Sequence, residues 1–579
     1  ALGNTQRPIP LIPPRGLIFD RNGVLMAKNR TAYNLGIIPA YLPVNKKKRR
    51  KVYLKICENF NIDYKELISK LEYKISPYAY RSLIIKENIS KKHILFLEEN
   101  RNHFPFLNIQ EYSGRIYPFG EASSHILGYI GIISRKELDH FTSKKIQNYR
   151  QDSILGKTGL EKQYDQFLRG VEGQKVIIKD KVGRPLRELT EKKIPAAPGS
   201  NAILSIDAHL QELCYQILYK KKGVIIVTKP INGEVLSLVS SPGYDANLFL
   251  KPKERKKVFL KLKRDKSKPF YNRPIRGWYP AGSIFKIVTT IAALEDNKVN
   301  PDDKVDCRAG YFELGDRIFK DWKRHGIVNL YEALEHSVNV YFYKLGYTIG
   351  YASLLEHSKK LGLSRVTGID LPGEKHGFIP SPEWKEKRFK EPWYDGDTVN
   401  ASIGQGFILL TPIGANNIIS IIAAGKIYRP RILWKFKNPY TGVIEKQYKP
   451  EILTPYRLRK NHLKTIREGL KRVTVTGTGT YHKYLSKIPI AGKTGSAQNR
   501  KVKTHSWFIS YGPLDKPLKD QYAITVLVET AGHGGTIAVP ISSVIYNYLE
   551  GKMDREKALK TILQIFQYQE KKGETSVSN

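Results

Sequence analysis

The stretch that organises the chain lies at residues 280–294. Residues 280–286 read Pro-Ala-Gly-Ser-Ile-Phe-Lys, and residues 287–294 read Ile-Val-Thr-Thr-Ile-Ala-Ala-Leu. Proline and glycine interrupt whatever precedes them, and the serine then begins a segment that is apolar on nearly all sides. This pattern predicts a buried helix that starts at Ser283. Ser283 and Lys286, three residues apart, would lie one above the other on one face of that helix.

A serine and a lysine in this arrangement can act as a nucleophile and its base. A hydroxyl is a poor nucleophile at neutral pH, but a neighbouring amine that has lost its proton in a desolvated site can activate it. The N-terminus of the helix adds partial positive charge where an alkoxide or an oxyanion would form. The plainer interpretation is a serine N-cap with a lysine on the solvent face, which a lone Ser-x-x-Lys does not exclude. Two further motifs favour the catalytic interpretation.

Composition bounds the class of protein. A chain of 579 residues can hold two or more domains, and 41% hydrophobic residues is ordinary for a globular protein. The 97 Lys and Arg against 54 Asp and Glu give a net charge of +43, which suggests nucleic acid or an anionic surface as a partner. The lysines are spread along the whole chain, with dense clusters only at residues 46–51 and 251–268. We interpret both clusters as solvated loops and predict no nucleic-acid partner.

Cysteines and apolar runs leave the compartment open. Cys57, Cys214 and Cys307 are odd in number and widely separated, so the sequence predicts no disulfide framework. No run of eighteen apolar residues exists, so we predict no membrane-spanning segment in this sequence. Because the chain begins at Ala1 and not at Met, we expect a targeting segment or membrane anchor to have been removed.

The first part of the chain has mixed secondary-structure patterns. Asn22-Gly23 between two apolar segments predicts a β-hairpin. The pattern turns helical over residues 46–102, and we predict strands at residues 115–120 and 125–131.

A glycine-rich segment and a proline-rich segment follow. Residues 156–159 read Gly-Lys-Thr-Gly but lack the earlier glycine of a phosphate-binding loop, so we interpret them as a turn before an amphipathic helix that ends at Gly170. The Pro, Ala and Gly residues at 195–200 predict a domain boundary. We predict three regions: residues 1–200, residues 201–552 and a C-terminal tail of residues 553–579.

Two more motifs occur downstream. Residues 337–339 read Ser-Val-Asn in a helical pattern, where a hydroxyl and an amide two residues apart can point into one cleft at a helix boundary. Residues 493–496 read Lys-Thr-Gly-Ser after a strand-like segment, with further strands predicted at residues 505–511 and 522–529. On such a sheet a lysine supplies charge, a threonine hydroxyl holds a carboxylate, and a glycine lets a substrate backbone come close.

Ser-x-x-Lys, Ser-x-Asn and Lys-Thr-Gly, in this order, form the set found in penicillin-binding proteins and class A β-lactamases. The chain resembles class B penicillin-binding proteins, and within them the elongation-type penicillin-binding protein 2 group of Gram-negative bacteria. Further matches to this family lie at residues 15–23, 159–170, 384–394, 396–398 and 403–406. The resemblance implies an α/β (α+β) fold, with an elongated N-terminal pedestal and a transpeptidase domain whose antiparallel sheet is covered by helices on both faces.

The resemblance also implies a function and a set of catalytic residues. The protein would be a serine-type D-Ala-D-Ala transpeptidase or carboxypeptidase that cross-links peptidoglycan stem peptides during cell elongation and rod-shape maintenance. Ser283 would attack the D-Ala-D-Ala carbonyl to form an acyl-enzyme, with Lys286 as its general base. Ser337 would pass the proton to the leaving D-Ala, and Asn339 would position the lysine and the substrate.

The third motif would bind the substrate. By the same resemblance, Lys493 and Thr494 would hold the terminal carboxylate, Gly495 would let the substrate backbone approach, and the N–H groups of Ser283 and Ser496 would form the oxyanion hole. β-Lactams mimic the donor peptide and would be trapped on Ser283. The resemblance further implies an inner-membrane anchor with a periplasmic catalytic domain. It also implies the membrane glycosyltransferase of the rod-shape elongation machinery as a partner of the pedestal.

No cofactor is implied as a requirement, but some members of the family hold a structural zinc. The matching positions keep three ligands, Asp306, Asp321 and His325, while the fourth, a cysteine in the family, is Val338 here. Cys307 is a doubtful substitute, because it follows Asp306 directly and adjacent strand residues point to opposite faces. We therefore predict weak or absent zinc binding; the alternative is that these are ordinary loop residues.

Three other function classes explain part of the sequence. A β-lactamase shares the three motifs, but an N-terminal pedestal is superfluous for hydrolysis. A catalytically silent scaffold needs no intact nucleophile and base, and both are present. A nucleic-acid binder rests on net charge alone. Lys229 departs from the family, which commonly has an aspartate there, but this position does not belong to the three motifs.

Overall fold

The structure, a computed structural model, describes residues 5–71, 82–144, 149, 153–179, 185–250, 252–480, 487–499 and 502–575. The strands are β1 Thr5–Leu11, β2 Ile18–Phe19, β3 Leu25–Ile37, β4 Leu83–Lys86, β5 Leu107–Ile116, β6 Ile130–Ile132, β7 Ile154–Gly156, β8 Gly173–Lys179, β9 Pro185–Ile194, β10 Asn201–Leu204, β11 Gly223–Thr228, β12 Val235–Ser241, β13 Tyr279–Pro280, β14 Val305–Asp306, β15 Tyr311–Leu314, β16 Arg317–Lys320, β17 Ile327–Val328, β18 Leu409–Leu410, β19 Ile427–Tyr428, β20 Leu433–Lys437, β21 Ile444–Gln447, β22 Ile452–Thr454, β23 Ala491–Asn499, β24 Val502–Gly512 and β25 Tyr522–Val528. The helices are α1 Lys46–Phe60, α2 Tyr64–Leu71, α3 Lys91–Glu99, α4 Gly120–Leu127, α5 Arg135–Ser143, α6 Gly159–Gln163, α7 Asp165–Leu168, α8 Ala208–Ile217, α9 Pro252–Arg264, α10 Arg273–Arg276, α11 Lys286–Glu295, α12 Leu330–Glu335, α13 Asn339–Lys360, α14 Pro382–Phe389, α15 Asp395–Ser402, α16 Pro412–Ala424, α17 Lys460–Val475, α18 Gly534–Leu549 and α19 Arg555–Thr575.

Five strands of the second half form an antiparallel sheet in the order β12-β11-β25-β24-β23. Along β11 the buried side chains alternate between two cores: Val224 and Ile226 belong to one, and Ile225 and Val227 to the other. Because successive strand residues point to opposite faces, this sheet needs apolar cover on both sides. Helices α11 and α16 supply it on one face and α8, α18 and α19 on the other. The predicted antiparallel sheet between two helical layers is confirmed.

Helix α11 follows the stretch at residues 280–286. Nine of its ten residues, 286–294, are buried, which explains why the sequence is apolar all round. The helix begins at Lys286, however, and not at Ser283 as predicted. Gly282–Phe285 forms a 3₁₀ turn before it, and Gly282 has a positive φ of 55°. Such tight turns are frequent where α-helices begin, and this one presents Ser283 on the turn itself.

A second sheet joins the first part of the chain to the later part. Its strand order is β21-β20-β10-β2-β3-β4, and β5 also pairs with β3. The predicted hairpin is formed by β2 and β3, with Gly23 at φ +86° in its turn. Strand β10 pairs with β2 on one side and with β20 on the other. Because β10 begins at the predicted boundary and belongs to this shared sheet, the division near residue 200 stays a prediction.

A buried ion cluster holds the N-terminal segment against α6 and α7. Arg15 Nε donates to Glu161 Oε2 at 2.5 Å, and Arg15 Nη1 lies 2.8 Å from Asp165 Oδ1. Arg115 Nε donates to Glu161 Oε1 at 2.8 Å. The Glu161 side chain is fully buried, and those of Arg15, Arg115 and Asp165 are nearly so. Two of the stretches that carry the family resemblance, residues 15–23 and 159–170, thus meet at this junction.

Three local predictions were wrong, in whole or in part. The strand predicted at residues 115–120 is only the end of β5, which stops at Ile116, and a turn follows before α4. Most of residues 125–131 is not a strand: α4 runs to Leu127 and ends where Gly128 adopts φ +76°, and only Ile130 and Gly131 belong to β6. This short apolar run is buried in a helix, and such runs do not distinguish a buried helix from a strand. The basic clusters are not loops either, because residues 46–51 begin α1 and residues 252–264 form α9.

The helical region predicted over residues 46–102 contains α1, α2 and α3, while residues 72–81 lie outside the described residues. These helices pack on β3, β4 and β5 around a separate core that includes Phe60, Phe104 and Phe106. Across the described part of the chain, no helix has both the length and the apolar character to cross a membrane.

Candidate active site

Lys286 links the first two motifs. Its side chain is fully buried at the start of α11. Its Nζ donates to the Ser337 carbonyl oxygen at 2.7 Å, to Asn339 Oδ1 at 2.7 Å and to Ser337 Oγ at 3.2 Å. The Phe342 ring centroid lies 5.3 Å from the same nitrogen. The structure therefore brings Lys286, Ser337 and Asn339 together as the sequence motifs predicted.

The buried lysines of the site favour the neutral amine. Burial lowers the pKa of Lys286 to about 7, against the opposing effect of the Asp321 carboxylate. Burial, together with the charge of Lys286, also holds the pKa of Lys493 well below its ordinary value. Within the described residues neither lysine has a carboxylate at ion-pairing distance. A lysine with a pKa of about 7 is partly deprotonated at neutral pH, which a general base requires.

Ser337 lies in the connection between α12 and α13, and its backbone is strained. Its φ is +55°, a conformation that costs a non-glycine residue roughly 1–3 kcal/mol. The side chain is only 7% exposed. The hydrogen bond from Lys286 to the Ser337 carbonyl is one of the contacts that hold this geometry. The Ser-x-Asn motif thus sits at a helix boundary, with Asn339 as the first residue of α13.

Ser283 is half-buried on its 3₁₀ turn, and a second turn sets its position. Gly282 N donates to the Gly404 carbonyl at 2.8 Å. Gly404 has φ +72°, and a Cβ there would lie 2.3 Å from the Gly282 oxygen. The family-matching residues 403–406 therefore shape the turn at residues 282–285 that carries Ser283. In the described structure no hydrogen bond joins Ser283 Oγ to Lys286, and such catalytic contacts often form only when substrate is bound.

The third motif lies on β23, the edge strand beside the turn at residues 282–285. Lys493 is fully buried, and a Cβ on Gly495 would lie 3.0 Å from Ile284 Cγ2 and 3.1 Å from Trp507 Cβ. Ile284 follows Ser283 directly, so the absence of a side chain at Gly495 lets the turn at residues 282–285 pack against β23. The glycine was predicted to admit a substrate backbone; the structure gives it this additional role.

Each hydroxyl of the third motif has a partner that sequence reasoning missed. Thr494 Oγ1 lies 2.7 Å from Thr478 Oγ1. Ser496 Oγ lies 3.3 Å from His533 Nδ1 and accepts from Gly534 N at 3.3 Å. Two glycine-rich stretches could have pointed to these partners: residues 476–479 after α17 and residues 532–535 at the start of α18. The helical patterns of α17 and α18 do not explain these glycines.

Glu335 connects the second motif to the loop under the third. Thr476 Oγ1 donates to Glu335 Oε1 at 2.5 Å, and Thr478 N donates to the Glu335 carbonyl at 3.2 Å. A Cβ on Gly477 would lie 2.4 Å from that same carbonyl oxygen. The end of α12 and the loop at residues 476–479 are thus in close contact.

The three residues predicted as zinc ligands are not brought together. Asp321 Oδ1 lies 3.8 Å from His325 Nε2, while Asp321 Oδ2 accepts from Val340 N at 2.8 Å. The Asp306 carboxylate is exposed and pairs with Arg308 at 2.7 Å. Among the described residues, no group of three or more His, Cys, Asp or Glu side chains could hold a metal ion. The residues present therefore do not fit a zinc site, and whether the protein binds zinc stays a prediction.

Cys307 does not complete that set. Its side chain is buried, and burial raises the pKa of the thiol to about 11. Among the described residues, the Cys307 thiol joins no group of three or more side chains that could hold a metal ion.

Comparison with known proteins covers nearly the whole chain. Residues 10–204 match the penicillin-binding protein dimerisation domain, and residues 223–547 match the penicillin-binding protein transpeptidase domain. The chain is 31% identical to the peptidoglycan D,D-transpeptidase MrdA of Haemophilus influenzae, over 94% of this chain and 85% of that protein.

Two solved structures are similar along the same length. The penicillin-binding protein PBP2 of Helicobacter pylori, solved in complex with MreC, superposes with a TM-score of 0.81 at 29% identity, covering 94% of this chain and 99% of that one. A chain from a peptidoglycan synthase complex that coordinates polymerization and crosslinking gives 0.75 at 25% identity, covering 96% and 93%.

Proposed function

The chain belongs to the penicillin-binding proteins with a transpeptidase domain, and from this premise we propose how its residues divide the reaction. The protein is a peptidoglycan D,D-transpeptidase: it cross-links stem peptides through a serine acyl-enzyme and binds penicillin covalently. The observation that carries the assignment of roles is the fully buried Lys286, whose Nζ contacts both residues of the Ser-x-Asn motif.

Acylation begins with Lys286 as the neutral amine. The amine takes the proton of Ser283 Oγ, which attacks the carbonyl carbon between the two D-Ala residues of the donor peptide. The new C–O bond replaces the C–N bond, and D-Ala leaves after its nitrogen receives a proton through the Ser337 hydroxyl. Asn339 holds the lysine in place, since its Oδ1 accepts from Nζ at 2.7 Å.

The third motif binds the donor. Lys493 donates to the terminal carboxylate, whose negative charge favours the protonated form of this buried lysine, and the Thr494 hydroxyl donates to it as well. The backbone N–H groups of Ser283 and Ser496 stabilise the oxyanion of the tetrahedral intermediate. Support for this arrangement comes from the packing of the turn at residues 282–285, which carries Ser283, against β23 at Gly495. An amine of a second stem peptide then attacks the acyl-serine and regenerates the Ser283 hydroxyl.

Labelling with a fluorescent penicillin tests this assignment. We expect a long-lived covalent adduct on the wild-type chain and none on Ser283→Ala, with circular dichroism and thermal unfolding unchanged. Ser353→Ala, at a half-buried serine of α13 whose hydroxyl donates to Asp296, is the matched control and should label fully. A labelled Ser283→Ala chain would refute the nucleophile, and rapid turnover of the label would favour a β-lactamase.

The pedestal carries none of the three motifs, so we propose that it binds partners. A related PBP2 was solved with MreC and another relative belongs to a synthase complex, so we assign this chain to the elongation machinery, with a membrane glycosyltransferase as the pedestal's partner. Exposed apolar side chains there include Val44 at 80% and Leu95 at 63% exposure. Because peptidoglycan is the substrate, we also propose that the catalytic domain works in the periplasm at the inner membrane.

Co-purification tests the partner proposal on the full chain. Val44→Glu and Leu95→Glu together should abolish co-purification of the glycosyltransferase while leaving penicillin labelling intact. Leu563→Glu, a comparably exposed leucine on α19 at 59%, is the control. Undiminished co-purification of the double variant would move the contact away from this surface.

A further inference from the structure

We propose that Thr478 and His533, two residues outside the three motifs, are positioning residues that aim the hydroxyl protons of Thr494 and Ser496 at the donor carboxylate. This inference deepens the proposed function and rests on it. It assigns one external partner to each hydroxyl of the Lys-Thr-Gly-Ser strand.

The strand geometry places both hydroxyls in one row. Thr494 and Ser496 are two residues apart on β23, so their side chains point to the same face. Thr478 reaches Thr494 from the loop after α17, at 2.7 Å, and His533 reaches Ser496 from the residue before α18, at 3.3 Å. The row is thus held by two separate elements of the chain.

A hydroxyl has one proton and two lone pairs, so its partners decide where the proton points. When the Thr478 hydroxyl donates to Thr494 Oγ1, the Thr494 proton stays available for an anion. The backbone N–H of Thr478 donates to the Glu335 carbonyl at 3.2 Å, which fixes the position of Thr478 beside Thr494. If Thr494 donated to Thr478 Oγ1 instead, its proton would be bound within the protein and would not reach a ligand.

The same count applies to Ser496. Gly534 N donates to Ser496 Oγ at 3.3 Å and occupies one lone pair. If His533 Nδ1 carries a proton, it occupies the second, and the Ser496 proton is directed at the substrate. The His533 carbonyl accepts from Ser506 Oγ at 3.1 Å and from Thr536 Oγ1 at 2.9 Å, which fixes the backbone while the ring stays exposed.

The proposal predicts an effect specific to the carboxylate. A hydroxyl that donates to a carboxylate forms a charge-assisted hydrogen bond, whereas a hydroxyl that donates to an ester does not. Loss of Thr478 or His533 should therefore weaken recognition of a carboxylate ligand and leave its ester nearly unaffected. A general loosening of the fold would affect both ligands alike.

The test compares acylation of the full chain by a penicillin and by its methyl ester. Thr478→Val and His533→Leu should each lower the second-order acylation constant for the acid by about threefold to tenfold, through weaker binding and not a slower acylation step. The constant for the ester should change less than twofold, by the same reasoning. Thr478→Ser keeps the hydroxyl and His533→Asn keeps a side-chain N–H, so each should keep the acylation constant for the acid near the wild-type value. His103→Leu, at an exposed histidine of the pedestal, is the control.

Each failure has a distinct signature. Labelling of Ser283→Ala would remove the proposed function itself. A wild-type chain that does not prefer the acid over the ester would overturn the carboxylate role of the strand, and this inference with it. A wild-type preference that survives in Thr478→Val and His533→Leu, or an equal loss for both ligands, would overturn the positioning role alone.

Discussion

Two regions of the molecule each bury two cationic side chains. In one region these side chains are paired with carboxylates, and in the other they are not. At the junction of the N-terminal segment with α6 and α7, Arg15 and Arg115 meet the carboxylates of Glu161 and Asp165 at 2.5–2.8 Å. In the candidate active site between the turn at residues 282–285, the Ser-x-Asn motif and β23, called the cleft below, the fully buried Lys286 and Lys493 face hydroxyl and carbonyl groups, with no carboxylate at ion-pairing distance among the described residues.

The pKa shifts follow from this difference. Burial alone would raise the pKa of Glu161, but Arg115 and Arg15 outweigh burial and the pKa is lowered. In the cleft, burial dominates and lowers the pKa of Lys286 to about 7. In the balanced cluster each buried charge has a partner, so losing one partner costs stability, whereas the cleft holds a reactive amine at the expense of stability. Substitutions in the two regions should therefore separate stability from activity.

The largest effect is expected for Lys286→Ala. Removal of a general base typically costs about 10²- to 10⁴-fold in rate, so the acylation step should slow by that order while non-covalent penicillin binding changes little. Stopped-flow acylation with a fluorescent penicillin separates the two parameters. Lys298→Ala, on the loop after α11, is the control. A loss below tenfold would assign the base elsewhere.

At the junction, Glu161→Gln should act on stability. Removing one partner of a buried ion pair typically costs roughly 3–5 kcal/mol, and here it leaves Arg115 without its carboxylate. We expect a large fall in Tm, with near wild-type acylation at temperatures well below it. Glu356→Gln, which breaks an exposed pair with Lys360 on α13, should leave Tm unchanged. An unchanged Tm for Glu161→Gln would show that the ion pairs of Glu161 do not contribute to the stability of the fold.

Lys493→Ala should have a smaller effect on binding. A hydrogen bond to a charged group contributes about 1.5–3 kcal/mol, so affinity for the carboxylate ligand should fall roughly tenfold to a hundredfold. The maximal acylation rate should fall less than in Lys286→Ala. The reverse pattern, with rate lost and binding kept, would exchange the roles of the two lysines.

The smallest effect concerns the stability cost of the cleft. The folded pKa of Lys286 is about 7, below its unfolded value, so the unfolded chain binds more protons above that pH and stability rises with pH in this window. Lys286→Met lacks this ionisation. Its stability relative to wild type should therefore decrease between pH 7.5 and 9, by up to about 1.4 kcal/mol per pH unit. Denaturant titrations of both chains would show this slope, and parallel curves would contradict it.

The motifs of the active site were predictable from the sequence, whereas the backbone geometry around them was not. Three motifs of two to four residues located the cleft, because the order of Ser283, Ser337 and Lys493 is specific even though each motif alone is weak. The local backbone was harder to predict. The 3₁₀ turn at Gly282 and the strained Ser337 depend on contacts with Gly404 and Lys286, which are distant in sequence.

The buried junction depends on contacts that no sequence pattern predicts. Arg15 and Glu161 stand 146 positions apart, and no periodicity predicts that they pair. Thr478 and His533 were missed for the same reason, since both act through tertiary contacts with one strand. Asp306 was predicted beside Asp321 and His325, but a local ion pair with Arg308, two residues away, holds its carboxylate at the surface.

The pH dependence of Ser283 acylation tests the central claim most directly. If the buried, unpaired Lys286 is the base, the second-order acylation constant should rise with pH through a single ionisation near its pKa of about 7 and level off above it. The same profile should be missing from the residual activity of Lys286→Ala. A constant that stays low at pH 8 and rises only near pH 10, where an ordinary lysine ionises, would contradict the account.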